Sequence, residues 1–183
     1  MLLPPEKEIF FNGKYFILRL QFSVMIFDVL VASTSRFYKF GPVTNPDHAE
    51  DLSGQVILEQ INAADFESKY QLIPDGIEPI REAVQMSKAD AIVICGGTGL
   101  THSDLTLEAV EPLFEKTLPG FGEIFRLRSL EEVGTRAMLT RAAAGIYQGK
   151  PIFCLPGSPD GVRTAMDCLI LPEIGHMIKI SRE

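Results

Sequence analysis

Gly96-Gly97-Thr98-Gly99 follows the apolar run AIVIC, and a lone carboxylate, Asp104, comes shortly after it, ahead of a helix-like pattern. Glycines let a backbone approach a ligand closely, and a loop of them before a helix start forms a concave nest of N–H groups that suits an anion. The segment fits neither familiar glycine-rich fingerprint. A dinucleotide loop needs a third glycine where this chain has His102, and a P-loop needs Gly-Lys-Ser/Thr, yet no lysine occurs between Lys88 and Lys116. Asp104 has two readings. As a helix N-cap it contributes about 1 kcal/mol, a role that Ser103 could fill equally well. Beside a phosphate it would repel, unless a cation is shared between them, and Mg²⁺ is held in this way by one or two carboxylates plus substrate phosphates. Asp75, after Pro74 at the end of another apolar run, is the natural second carboxylate or else a turn residue. The pair points to metal-assisted phosphoryl or nucleotidyl transfer, in which positioning and charge neutralisation do most of the catalysis.

Other combinations carry less. The side chains of His102, Ser103 and Asp104 are adjacent in sequence and point apart, so they make no triad. Gly157-Ser158 lacks the G-x-S-x-G elbow, and His48, His102 and His176 lack metal-ligand spacing. Arg126, Arg128 and Arg141 either reach phosphates or make salt pairs on helix surfaces, the latter for at least two of them.

The elements that must position these residues alternate in type. Strands are expected over 25–33, 69–73, 90–95 and 150–155, and helices over 54–64, 77–88 and 103–118. A further helix from 120 breaks at Gly134, a second follows it and closes at Gly145 or Gly149, and helix ends the chain over 160–181. Residues 36–54, with two prolines and two glycines, read as a long irregular loop. This alternation predicts a single three-layer α/β/α domain with a largely parallel sheet over 25–183, preceded by an arm or extra strand over 1–24. In such sheets ligands bind beyond the carboxyl ends of the strands. The strand ends Ser33-Thr34-Ser35, Pro74-Asp75, Gly96–Gly99 and Pro156-Gly157-Ser158 are all small or polar, which predicts one shared crevice.

A chain of 183 residues with 46% hydrophobic and 22% charged side chains suits one ordinary globular domain. A net charge of −7 argues against a nucleic-acid partner. Three cysteines without a CxxC pair suggest a reducing compartment. The apolar stretch 15–32 is interrupted by Arg19 and Asp28, which argues against a membrane span, and an acidic start without a cleavage site argues against a secretory signal. A cytoplasmic location is expected.

In order along the chain, EDLSG, LIPD, GGTGLTHSDLTLEAV, LPGFGEIFR, SLEEVGT, MLTRAAAG and FCLPGSP resemble the MoaB/Mog family of molybdopterin adenylyltransferases, to which the gephyrin G domains also belong. The likeness runs from about Asp28 to Ile178 and is nearest the short, archaeal-type MoaB form. It implies an α/β/α domain assembled as a trimer or hexamer. The implied reaction takes Mg²⁺, ATP and molybdopterin to adenylyl-molybdopterin and pyrophosphate, and prepares the pterin for molybdate or tungstate insertion by a MoeA-like insertase. Carried over by motif, Asp75 and Asp104 are the catalytic pair and the Mg²⁺ neighbours. Gly96, Gly97, Thr98 and Gly99 cradle phosphate, while Ser33, Ser35, Asp51, Ser53, Pro156, Gly157 and Ser158 line the pterin and nucleotide crevice. Thr140 stands where many relatives have serine. Many relatives also carry Pro-Arg where this chain has His102-Ser103, so an arginine contact is lost or moved elsewhere. Two alternatives accompany this reading: a molybdopterin carrier without turnover, and a CinA-like nucleotide hydrolase.

Overall fold

The computed structural model describes residues 7–11, 14–18 and 24–183. Of the segment 1–24, read as an arm or extra strand, only part is described: β1 (Lys7–Phe11) and β2 (Lys14–Leu18) pair antiparallel as a two-stranded sheet. The chain continues with β3 (Ile26–Ala32), α1 (Thr34–Phe40), a 3-10 turn (Pro46–Ala49), α2 (Leu52–Ala63), β4 (Glu67–Ile73), α3 (Ile77–Met86), β5 (Ala91–Cys95) and α4 (Thr106–Val110). After a 3-10 turn (Glu111–Leu113) come β6 (Lys116–Thr117), α5 (Pro119–Val133), a further 3-10 turn (Gly134–Leu139), β7 (Ala143–Tyr147) and β8 (Lys150–Leu155). The last stretch is α6 (Pro159–Ala165), a π-helical turn (Met166–Ile170) and α7 (Leu171–Ser181).

The six strands from β3 onward form one sheet in the order β4-β3-β5-β8-β7-β6. The first four are mutually parallel, as expected, and β7 and β6 extend the sheet antiparallel. Alternation along the strands builds the three layers. Val29, Val31, Val93 and Leu155 face Ile57 and Ile61 of α2, Phe125 of α5, Val162 of α6 and Ile174 of α7. Leu30, Ile92, Ile94 and Ile152 face Ile80 and Val84 of α3 and Leu107 and Val110 of α4. Both faces of the central strands β5 and β8 are therefore covered, which is why they read as near-continuous apolar runs, whereas the edge strand β4 alternates buried and exposed residues.

Three expectations need correction, and the terminal helix expected over 160–181 stands with one local departure. The irregular stretch 36–54 holds most of α1, the 3-10 turn at Pro46–Ala49 and the start of α2. The helix expected over 103–118 shrinks to α4, because Pro112 lacks an N–H and its ring obstructs the carbonyl four residues back. The helix expected between Gly134 and Gly149 is instead a 3-10 turn and the strand β7. Small residues in RAAAG suit either state, and pairing with β8 decides it, with Gly145 placed where any Cβ would strike the Phe114 ring. The terminal helix is continuous but relaxes into a π-helical turn just before Pro172, whose missing N–H cannot complete the regular ladder.

Candidate functional site

Because β7 runs antiparallel to β8, its first residues lie at the same end of the sheet as the loops that leave β5 and β8. Three segments thereby enclose an open cleft of about 440 Å³: Gly96–Gly99 with Asp104, Pro156–Ser158, and Arg136, Leu139 and Thr140 ahead of β7.

The glycine loop is strained in the way its sequence permits. Gly96 and Gly97 have φ of +102° and +63°, in the region that disfavours side chains. A Cβ at Gly96 would meet the Ala32 carbonyl, and one at Gly97 would lie 2.5 Å from Asp75 Oδ2 and against Thr106 Oγ1. Thr106 closes the loop from the helix side: its hydroxyl donates to Gly96 O (2.8 Å) and its N–H to Gly97 O (3.1 Å). The N–H groups of Gly97 and Thr98 donate to no acceptor among the described residues. Two backbone donors are thus left for an anion.

The two carboxylates flank this loop. Asp75 leaves β4 with its N–H donating to Thr34 Oγ1 (3.0 Å), and its Oδ1 accepts from the Leu105 N–H (3.1 Å). Asp75, from a different strand, therefore satisfies the start of α4. Asp104 and Ser103 do not: the N-cap position belongs to Leu105, which makes no side-chain cap. Asp104 instead closes its own turn, with Oδ2 accepting from Thr101 N–H (2.8 Å) and Thr101 Oγ1 (2.6 Å) beside Gly99. Burial, followed by the negative charges of Asp104 and Glu108, pushes the Asp75 carboxyl above the ordinary carboxylate range, although the Leu105 N–H opposes it. The Thr101 hydroxyl holds Asp104 below that range. The two proton affinities are thereby shifted in opposite directions, that of Asp75 upward and that of Asp104 downward.

Arg141 fixes the loop from outside. Its Nε donates to Gly99 O (2.8 Å), its Nη2 to Asp104 O (2.9 Å), its backbone N–H to Thr98 O (3.0 Å), and its guanidinium pairs with Glu108. It does not reach into the cleft, and its pair with Glu108 is made on the exposed face of α4. Arg126 is likewise committed, to Ala142 O (3.3 Å).

Gly96, Gly97, Thr98, Gly99, Asp104, Thr140, Pro156, Gly157 and Ser158 thus meet in one cleft as expected from the sequence. Asp75 stands behind the loop, facing Gly97. Asp51 and Ser53 stand behind the other wall: Ser53 Oγ donates to Gly157 O (2.8 Å), and Asp51, 1% exposed, accepts from the Tyr70 hydroxyl (2.8 Å). The Cys95 thiol adds a bond to Pro156 O (3.4 Å). Ser33 and Ser35 do not line the cleft. Sequence reasoning missed Arg136 and Leu139. The antiparallel course of β7 is the signal that would have found them, since it brings the segment before the strand to the ligand end.

No group of three or more His, Cys, Asp and Glu side chains that could hold a metal occurs among the described residues. Asp75 and Asp104 are the two carboxylates beside the glycine loop, and Mg²⁺ taken up with phosphate uses one or two such carboxylates, the remaining positions being filled by substrate oxygens and water. Asp104 Oδ1 and Asp75 Oδ2 are the candidate ligands, since neither carries a hydrogen bond among the described residues.

The family model "Probable molybdopterin binding domain" matches residues 28–176. A molybdopterin adenylyltransferase of Pyrococcus furiosus is 40% identical over 159 residues, covering 80% of this chain and 92% of that protein. Among solved structures, a molybdenum cofactor biosynthesis protein B superposes with a TM-score of 0.77 at 35% identity, covering 87% of this chain and 97% of its own. The tungsten cofactor synthesizing protein MoaB of Pyrococcus furiosus gives 0.74 at 37% identity, covering 88% and 99%. The chain belongs to this molybdopterin-binding family, in its MoaB/Mog branch.

Proposed function

We propose that this chain transfers the adenylyl group of ATP to molybdopterin, releasing pyrophosphate, in molybdenum or tungsten cofactor biosynthesis. The observation that carries the reading is the glycine loop with two free N–H groups, flanked by carboxylates whose proton affinities are shifted in opposite directions, in a chain similar to a protein named molybdopterin adenylyltransferase. In the transfer an acceptor oxygen bonds the α-phosphorus and the α–β phosphoanhydride bond breaks, so the charge to be stabilised lies on phosphate oxygens. The Gly97 and Thr98 N–H groups bind those oxygens. Asp104, ionised at neutral pH, and Asp75 would hold Mg²⁺, which supplies charge neutralisation between the phosphates when bound. Ser53 and Cys95 fix the Pro156–Ser158 wall, against which the second substrate is placed.

Assembly into a trimer or hexamer is supported by a row of exposed apolar side chains along α5. A MoeA-like insertase as partner follows from the chemistry, because an adenylylated product is useful only to an enzyme that cleaves the activated bond. A cytoplasmic location is consistent with three free thiols and with the absence, among the described residues, of a helix long and apolar enough to cross a membrane.

The test is incubation of the purified chain with molybdopterin, ATP and Mg²⁺, following adenylylated pterin and pyrophosphate. Both products should form in equal amounts. Tight pterin binding without pyrophosphate would establish a carrier instead, and ATP breakdown without pterin would establish a hydrolase.

A further inference from the structure

A cleft that takes a nucleoside triphosphate must balance several negative charges, and the residues behind this one make that harder. Asp104 lines it, its charge opposes ionisation of both Asp75 and Glu108, and the charge of Glu108 adds to that at Asp75. Arg36, whose charge reaches Cys95 just ahead of the glycine loop, does not line the cleft, and two further arginines are engaged elsewhere. Arg141 spends its donors on Gly99 O, Asp104 O and Glu108, and Arg126 is bound to Ala142 O. One cationic side chain lines the cleft among the described residues: Arg136. It makes no hydrogen bond or ion pair with any of them, Asp104 included.

Arg136 is nonetheless placed with care. The 3-10 turn that carries it starts where Gly134, at φ +63°, ends α5, and is anchored by the next residue, Ala137, 4% exposed. The segment just after the turn is stitched to the glycine loop by the Arg141 N–H on Thr98 O (3.0 Å), and the Thr140 hydroxyl braces that segment locally by accepting from the Ala142 N–H (3.3 Å). A guanidinium with unspent donors, held on one wall of a cleft whose opposite wall offers free N–H groups, has the geometry of a phosphate clamp.

We propose that Arg136 binds the phosphate chain of the nucleotide and neutralises the pyrophosphate as it leaves. The proposal rests on the adenylyltransferase reading and names a residue for it that no motif singled out.

The experiment titrates ATP, pyrophosphate and adenosine into the wild-type chain, Arg136→Gln and Arg136→Lys, and runs the adenylylation assay on the same three. Arg136→Gln should weaken ATP and pyrophosphate binding by about tenfold or more, the loss expected for one charge-assisted hydrogen-bonded contact. Adenosine binding and the KM for pterin should be unchanged, and the lysine variant should recover part of the loss, since it keeps the charge without the fork. Thermal melts of the three should coincide, because the side chain supports no packing. If wild type binds ATP and pyrophosphate and Arg136→Gln binds them within about twofold, Arg136 has no such role although the function stands. If wild type binds neither, both the function and the role of Arg136 are overturned.

Discussion

The carboxylate of Asp75 loses water to burial and faces the charges of Asp104 and Glu108, so the folded chain holds its proton more tightly than the unfolded chain does. By linkage, this group contributes stability that is complete below the ordinary carboxylate value of 3.8 and is lost as pH rises through the raised native value. Above that raised value ionised Asp75 therefore weakens the fold. Asp104 is the reverse: its lowered native value contributes stability above 3.8 that is lost as pH falls through the native value. The two asparagine variants should consequently separate stability from function. Asp75→Asn, which can still accept from the Leu105 N–H, should melt above wild type at neutral pH, with the gain vanishing in acid. Asp104→Asn should melt at or below wild type at neutral pH, because a weaker acceptor faces Thr101. Both should lose about 100-fold or more in kcat, as expected when preorganised charge is removed from a transition state. Melting curves across pH, run beside turnover, decide the matter, and an Asp75→Asn chain that is active or less stable at neutral pH would refute the account.

At the scale of elements, the loop between Gly99 and Asp104 is held as a unit by a residue far from it in sequence. Arg141 joins the carbonyls at the two ends of the loop and is itself oriented by Glu108 of α4. Arg141→Ala should cost about 2 kcal/mol in stability through two unpaired carbonyls and a lone carboxylate, and should cut kcat by releasing Asp104. Arg141→Lys should not restore turnover, because a lysine cannot bridge two carbonyls and a carboxylate in one plane. Denaturant titration with kinetics on the two variants checks this, and full activity in the lysine form would show that the loop needs no such clasp. This arrangement also shows what the sequence could and could not disclose. β5 and β8 were legible because both faces are buried and their runs are apolar, β3 despite Asp28, β4 only from its alternation before Pro74, and so were the loops at the strand ends. Asp75 and Asp104 were legible as a pair from those positions. The role of Arg141 was not, since its partners are backbone carbonyls that leave no trace in residue type. Nor was β7, whose alanines and glycine carry no periodicity and acquire strand conformation only by pairing with β8. With β7 misread as helix, the third wall of the cleft and Arg136 were out of view.

For the whole molecule, α5 poses a question that one chain does not answer. Phe125, Gly122 and Ser129 bury one side of it against the domain, yet Ile124, Leu127, Leu130 and Val133 form an i, i+3 row on its exposed side. Such a row is one of the two ridges by which helices pack, and a helix apolar on both sides is normally buried on both. The 3-10 turn extends the patch with Met138, 76% exposed, and Leu139, which also lines the cleft. A contiguous apolar surface of this kind marks a protein interface, and a closed ring of identical chains would cover it with one repeated contact. The chain should therefore sediment as a trimer or hexamer, and Leu127→Glu with Leu130→Glu should shift it to a smaller species. Because the patch reaches the cleft rim at Leu139, the double variant should also lose kcat/KM in step with dissociation. Sedimentation and kinetics measured over one concentration series test both. A wild-type chain that is monomeric and fully active would leave the α5 row to some other partner and the cleft complete within a single copy.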